Sequence, residues 1–233
     1  MSVVVFTGLS RYQDPWHPVA ETSQEIAAVA RSLGLAVELR TDEAPDCLAD
    51  LSGVDLLVVN SGGGDPEAPP TYDPDWQPSY DALDAYASAG GAILAVHNAA
   101  VAFPEWPGWQ TIVGTGWERG VSGHPDISLA VFEADPTAVG HPVLDGFEPI
   151  AGVTERPTVV CYDERYWKMP VLPGNTPLLG HDTLGGWHVM GWARGERVLY
   201  DGMGHDRRSY ASGQRRRYLA NEIRWLMRDQ GEL

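Results

Sequence analysis

Cysteine is scarce in this chain of 233 residues: Cys47 and Cys161 are the only two. They lie far apart, outside any CxxC spacing, which excludes a disulfide framework and a cysteine-rich metal site. Cys161 falls in the apolar run "PTVVCY" and is read as a small core residue. Basic residues are few as well, with 16 Lys and Arg against 32 Asp and Glu, a formal charge of -16. Such a surface repels phosphate backbones and anionic membranes, so neither nucleic acid nor a membrane is expected as a partner. No apolar run approaches the roughly 18 residues that a membrane-spanning helix needs. The opening "MSVVVF" leads straight into a strand with no basic region before it, so no signal peptide is expected and the bacterial cytoplasm is the expected compartment. Internal repeats, low-complexity tracts and long linkers are also missing, and one domain over residues 1–233 is expected.

What is present is an ordinary globular balance, 43% hydrophobic and 21% charged. That is enough to bury a two- or three-layer core. "SVVVF" (2–6), "LAVELR" (35–40), "VDLLVVN" (54–60) and "GAILAVH" (91–97) read as strands. Helical spacing of Ile26, Val29, Ala30 and Leu33 marks a helix over 17–34, and a second is expected over 78–89. This alternation argues for a mostly parallel α/β sheet, doubly wound and flavodoxin-like, with helices on both faces. The second half differs. "DISLAVFEAD" (126–135), "PTVVCYDERY" (157–166), "TPLLGHD" (176–182), "WHVMGWARG" (187–195) and "ERVLYDGMGHD" (196–206) are strands between Gly and Pro turns, with a hairpin at "GWARGER". They are expected to add antiparallel strands, and a helix from Gly213 to Gln230 closes the chain. The hairpins and aromatic residues hint at a self-associating edge.

In open α/β sheets ligands bind beyond the carboxyl ends of the strands. Arg11, Tyr12, Asp14, Trp16 and His17 follow the first strand; "NSGGGD" (60–65), with Gly63 at its centre, follows the third; His97 and Asn98 follow the fourth; His205 and Asp206 follow a late one. The glycine run either lets backbone pass close to a neighbour or cradles an anion, but no phosphate-binding spacing accompanies it. His141 precedes proline and reads as a loop turn. His124 and the "DERY" pair Asp163 and Glu164 are open between structure and site, while His181 and His188 read as surface residues.

A strand, a sharp turn bearing a chemical side chain and then a helix is a nucleophile-elbow arrangement. In class I glutamine amidotransferase-like folds that position carries cysteine; here it carries His97, which argues against thiolate amidotransfer. Six segments, "NSGGG", "AVHNAAVAFPEW", "GTGWERGVSGHPDI", "HPVLDGF", "YDERYW" and "RGERVLYDGMGHDRRSY", resemble the ThuA-like (trehalose utilisation) family of that fold. The resemblance implies a polar cleft of His97, His124, Asp163, Glu164, His205 and Asp206, with His17 as a further member. It also implies a sugar or sugar derivative as ligand, on which Trp16, Trp106, Trp109, Trp117 and Tyr166 would stack.

Two chemistries suit such a cleft. Histidine–carboxylate acid–base catalysis would use His97 with Glu164 and His205 with Asp206, the remaining polar residues binding substrate. That reading, a hydrolase, lyase or isomerase on carbohydrate derivatives without a cofactor, is set beside two others. One is a non-catalytic sugar-binding or regulatory domain. The other is a metal-dependent hydrolase with zinc or a similar ion on His97, His124 and His205, although no HxH or HExxH spacing supports it.

Overall fold

The two most apolar runs become central strands: every residue of β3 (Leu56–Asn60) and of β4 (Ala92–Val96) is buried, as a parallel strand covered on both faces requires. The computed structural model describes residues 1–228. The remaining strands are β1 (Ser2–Thr7), β2 (Ala36–Thr41), β5 (Ser128–Ala134), β6 (Thr158–Asp163), β7 (Asn175–Thr183), β8 (Gly186–Arg194) and β9 (Val198–Asp201). All nine form one sheet in the order β2-β1-β3-β4-β9-β8-β7-β5-β6. From β2 to β9 the neighbours are parallel, and from β9 to β6 every pair is antiparallel. The fold is therefore the mixed, doubly wound α/β sheet expected, parallel at its N-terminal side.

Five α-helices flank the sheet: α1 (Val19–Ser32), α2 (Gln77–Ser88), α3 (Gly108–Val113), α4 (Arg207–Tyr210) and α5 (Gly213–Leu226). α1, α4 and α5 pack together, and α2 packs with α3, giving the two helical layers. α5 carries Arg215 into the core, where it pairs with Asp201 at 2.7 Å. Burial, reinforced by Asp201, pushes the neighbouring Glu222 carboxyl well above its ordinary range. The first turn of α5 also covers the β6 edge, which would otherwise offer unpaired backbone groups. Val160 N–H donates to Gln214 Oε1 at 2.7 Å, and the Val160 carbonyl accepts from the Ser212 hydroxyl.

Some boundaries differ from expectation. The closing helix ends at Leu226, and the last two residues of its expected range, 229 and 230, lie outside the described residues. After β4 the chain makes only a 3-10 turn, His97–Val101, where a helix was expected. Pro104 and Pro107 follow closely, and the residue before a proline is pushed out of the α region. The hairpin between β8 and β9 forms as read. A second, unforeseen one joins β7 to β8 through Leu184 and Gly185, both at positive φ (55° and 73°). Positive φ at both central residues is what a tight two-residue hairpin turn demands.

Topology explains what meets at the site. The strand senses place the ends of β1, β3, β4, β9 and β6, and the start of β5, along one edge of the sheet. In a flat sheet the ends of β6 and β9, four strands apart, would be separated by about 19 Å. Asp163 Oδ2 lies 2.8 Å from Gly204 N, so the β5–β6 hairpin curls back over the end of β9. Only Glu133 and Ala134 of β5 pair with β7, which leaves the hairpin free to do so.

Candidate functional site

At the end of β4 the chain reverses on His97, whose φ is 49°. A non-glycine residue in this region costs about 1–2 kcal/mol and needs support. The Tyr200 hydroxyl donates to the His97 carbonyl at 2.8 Å, and Trp109 Nε1–H donates to the Ala99 carbonyl at 2.7 Å. His97 Nδ1 lies 2.7 Å from the Gly202 carbonyl, which fixes Nδ1 as the protonated nitrogen and turns Nε2 towards Glu164. There the Tyr166 hydroxyl meets Nε2 at 2.7 Å.

Glu164 follows β6 and is surrounded by imidazoles. Its carboxylate lies 3.5 Å from His97 Nε2, 3.2 Å from His124 Nδ1 and 3.6 Å from His205 Nδ1. Burial opposes its ionisation, but His97, His205 and His124 outweigh burial and hold the carboxyl down to about 2. Burial likewise opposes charge on His97, yet the Glu164 and Asp163 carboxylates and the Gly202 carbonyl raise its pKa above the usual imidazole value. His205 moves the other way, lowered by burial and by the His97 and His17 rings against the pull of Glu164 and Asp206.

His17 arrives from the loop after β1 through a turn built on Asp14, whose side chain bonds the backbone ahead of it. Asp14 Oδ1 accepts from Trp16 N–H at 2.9 Å and His17 N–H at 3.0 Å, while His17 Nδ1 lies 2.8 and 2.9 Å from the two carboxylate oxygens. Asn98 donates to the same carboxylate. Burial would raise the Asp14 pKa, but the His17 ring and these backbone donors lower it. With Nδ1–H committed to Asp14, His17 keeps Nε2 as a buried atom, its ring against those of His97 and His205. His205 is held by Asp163, which accepts from the backbone N–H of Glu164, Gly204 and His205 and from the Ser209 hydroxyl.

The rings converge: centroids of His17 and His205 are 4.8 Å apart, of His17 and His97 5.0 Å, and of His97 and His205 5.6 Å. One ligating atom from each of His17, His97, Glu164 and His205 lies within 4.8 Å of the other three. His17 Nε2, His205 Nδ1 and Glu164 Oε2 are buried with no hydrogen-bond partner among the described residues.

Several expectations need correction. Asp206 does not orient His205; its carboxylate caps α4 at Arg208 N–H and pairs with the Arg208 guanidinium. Asp163 is not open to a substrate, being fully buried with both oxygens taken by the protein. Of the alternative metal set His97, His124 and His205, the structure brings the ligating atoms of His97 and His205 together with those of His17 and Glu164, while His124 stands outside that group with its side chain 38% exposed. Asn98 supports Asp14, and a Cβ at Gly63 would lie 2.8 Å from the Val101 carbonyl oxygen, so this glycine permits backbone packing against the His97 turn. Trp117 is half-buried with its ring edge-on to Tyr166 at 5.1 Å, forming one wall. Trp109 belongs to the core, Trp106 stacks on Tyr80, and Trp16 is exposed. His181 is buried, with Nε2 2.9 Å from the Tyr166 carbonyl, and is not the surface residue expected; His188 is half-buried. His141 caps a 3-10 turn, as its position before proline implied.

Both cysteines are far from thiolate chemistry. Burial and then Asp42 push the Cys47 thiol up to about 12, and burial raises Cys161 well above its ordinary value. A shallow depression of about 610 Å³ lined by Val160, Ser212, Gly213, Gln214 and Arg217 lies at the β6 edge. It carries a single charged side chain and no convergent set of polar atoms, so the histidine centre is the stronger candidate.

Comparison with known proteins adds fold and lineage. A ThuA-like protein from Bacteroides uniformis superposes with a TM-score of 0.69 at 17% identity over 97% of this chain and 90% of its own. A ThuA-like protein from Parabacteroides merdae gives 0.74 at 16% over 97% and 89%. A glutamine amidotransferase from Thermotoga maritima gives 0.54 at 8% over 98% of both chains, which shows the shared amidotransferase-like fold. No curated protein matches the sequence. No helix among the described residues is long and apolar enough to cross a membrane. The family model described as trehalose utilisation (ThuA) matches residues 2–226, nearly the whole length that carries the sheet and the histidine centre, and the chain therefore belongs to the ThuA family.

Proposed function

We propose that the chain is an enzyme of disaccharide utilisation that acts on a sugar or sugar derivative at the Glu164 centre, by polar chemistry without a cysteine nucleophile. The observation that carries this reading is Glu164 itself: a carboxylate 8% exposed, contacted by imidazoles from three separate segments. Side chains converging from remote parts of the chain on one buried charge are the pattern of a functional centre. The trehalose-utilisation description of the family supports a carbohydrate substrate.

Ordinary glycosidases need two carboxyl groups facing each other across the bond, about 5–9.5 Å apart. At this centre Asp163 is consumed by backbone and hydroxyl donors and Asp14 by His17 and Asn98, which leaves Glu164 alone to face the cleft. One carboxylate among imidazoles suits proton transfer beside a carbonyl: elimination, isomerisation or hydrolysis of an oxidised sugar. Glu164 is held ionised at neutral pH by the imidazoles around it and supplies the fixed negative charge of the centre. Tyr166, on His97 Nε2, and His124, on the Glu164 carboxylate, are the groups placed to meet a substrate hydroxyl, and Trp117 offers an apolar wall to a sugar face.

The test is to incubate the protein with trehalose, other disaccharides and their keto derivatives, following products by mass spectrometry and melting temperature in parallel. Conversion of at least one oxidised or unoxidised sugar is expected. Ligands that raise the melting temperature with no product formed would replace the enzyme with a binding domain, and no effect from any sugar would remove the carbohydrate reading.

A further inference from the structure

We infer that the centre is built to hold one divalent first-row transition-metal ion, ligated by His17 Nε2, His97 Nε2, Glu164 Oε2 and His205 Nδ1. The inference takes the same centre as the function proposed above but does not depend on its substrate. Three of these atoms are buried with no hydrogen-bond partner among the described residues, and one ligating atom from each of the four residues lies within 4.8 Å of those of the others. A buried polar atom left unpaired is destabilising, and lone pairs aimed at a common point also repel. A single cation at that point satisfies the whole set, whereas a proton can serve only two of its members.

The surroundings are arranged for the same end. Metal-ligating histidines donate their other ring N–H to a carboxylate or carbonyl, which fixes the tautomer. His17 Nδ1–H meets the Asp14 carboxylate and His97 Nδ1–H meets the Gly202 carbonyl, so both present Nε2 inward as an unprotonated ligand. His124 Nδ1 holds Glu164 Oε1 at 3.2 Å and leaves Oε2 for the ion. At bond lengths of about 2.1 Å, ligands are roughly 3.4 Å apart in a tetrahedral shell and roughly 4.2 Å apart across an octahedral one, so the widest pair closes by about half to one and a half ångströms on binding.

Ligand chemistry narrows the ion. Three imidazoles and one carboxylate suit zinc, iron, cobalt or nickel, while calcium and magnesium prefer oxygen shells. Four protein ligands on an ion that accepts five or six leave positions for an oxygen of the sugar derivative, whose carbonyl the ion would polarise. The Tyr166 hydroxyl, now on His97 Nε2, has to turn off that nitrogen when the ion binds. Tyr166 is thereby assigned a role beside the ion, as a donor to substrate and not as a ligand.

The experiment uses untagged full-length protein, stripped with chelator and titrated with Co²⁺, reading visible absorption and heat, with elemental analysis of the protein as purified. One equivalent is expected to bind and to give a visible ligand-field band that Zn²⁺ abolishes by competition. Asp14→Asn should weaken Co²⁺ binding by about 10–100-fold, and His17→Ala, His205→Ala or Glu164→Gln by at least as much. His188→Ala, outside the centre, should leave it unchanged, and Tyr166→Phe should bind Co²⁺ at least as tightly as the parent. Three independent ligand variants guard against misfolding of any one, with circular dichroism as the check. Absence of a one-equivalent site, or a site undiminished in folded His17→Ala and His205→Ala proteins, would overturn the inference. Full turnover of a sugar by metal-free protein would also overturn it while leaving the enzymatic reading intact. Tight Co²⁺ binding with no sugar converted would do the reverse.

Discussion

Asp163→Asn changes charge and hydrogen-bonding capacity at almost constant volume, and the geometry sets its cost. Asp163 Oδ1 accepts from Glu164 N at 2.9 Å and His205 N at 3.2 Å, and Oδ2 from Gly204 N at 2.8 Å and from the Ser209 hydroxyl. An asparagine is best accommodated with its amide nitrogen in the Oδ2 position, since Ser209 can rotate to accept while two backbone donors facing Oδ1 cannot. Gly204 N–H is then left unpaired in a buried setting, at about 1–3 kcal/mol. The surviving bonds lose charge assistance, which roughly doubles hydrogen-bond strength, for about another 1–2 kcal/mol. A total of about 3–4 kcal/mol is expected from urea denaturation, which for a chain of this size is a fall of about 6–16 °C in melting temperature. Ser209→Ala removes one donor and should cost about 1 kcal/mol. A variant within about 1 kcal/mol of the parent would refute the idea that this carboxylate clamps the His205 loop to the end of β6.

The buried His181 ring titrates at about 4 against an ordinary 6.5, lowered by burial first, so between these values the unfolded chain binds more protons than the folded one. Stability should fall by roughly 3 kcal/mol as pH drops through that window, relative to His181→Gln; parallel profiles of the two proteins would contradict this. Burial pushes the Glu222 carboxyl up, so Glu222→Gln should change unfolding free energy by less than about 1 kcal/mol, while Arg215→Ala strands Asp201 and should cost about 3–5 kcal/mol. Equal losses would contradict this. The Cys47 and Cys161 thiols should be inert to a disulfide reagent near pH 8 in the folded protein and react on unfolding; rapid labelling of native protein would overturn that.

How much was legible in the sequence can be argued residue by residue. His97 announced itself, because an ionisable ring at the junction of a fully apolar strand needs partners, and the structure supplies Gly202, Tyr166 and Glu164. His205 and Glu164 were readable from their positions after strands, since strand sense brings those ends to one edge. The pairing of carboxylates with histidines was not readable. Asp206 neighbours His205 in sequence but caps α4, and Asp163 neighbours Glu164 but serves backbone donors. Asp14 was seen only as one of several polar residues after β1, although an Asp three residues ahead of His17, with a proline between, carried an Asx-turn signal. His181 looked exposed because its burial comes from the curl of the β5–β6 hairpin and the placement of Tyr166, which no local pattern encodes. The long-range geometry of the curl brought Glu164 and His124 to the histidines at the ends of β1, β4 and β9.

The claim that matters most is that Glu164 and the imidazoles around it are where the chemistry happens. Its most direct test is the turnover of a converted sugar by Glu164→Gln protein, with circular dichroism and melting temperature measured on the same sample. A fall of about 10²–10⁴-fold in kcat/KM with the fold retained is expected. Turnover within tenfold of the parent in a folded variant would contradict it.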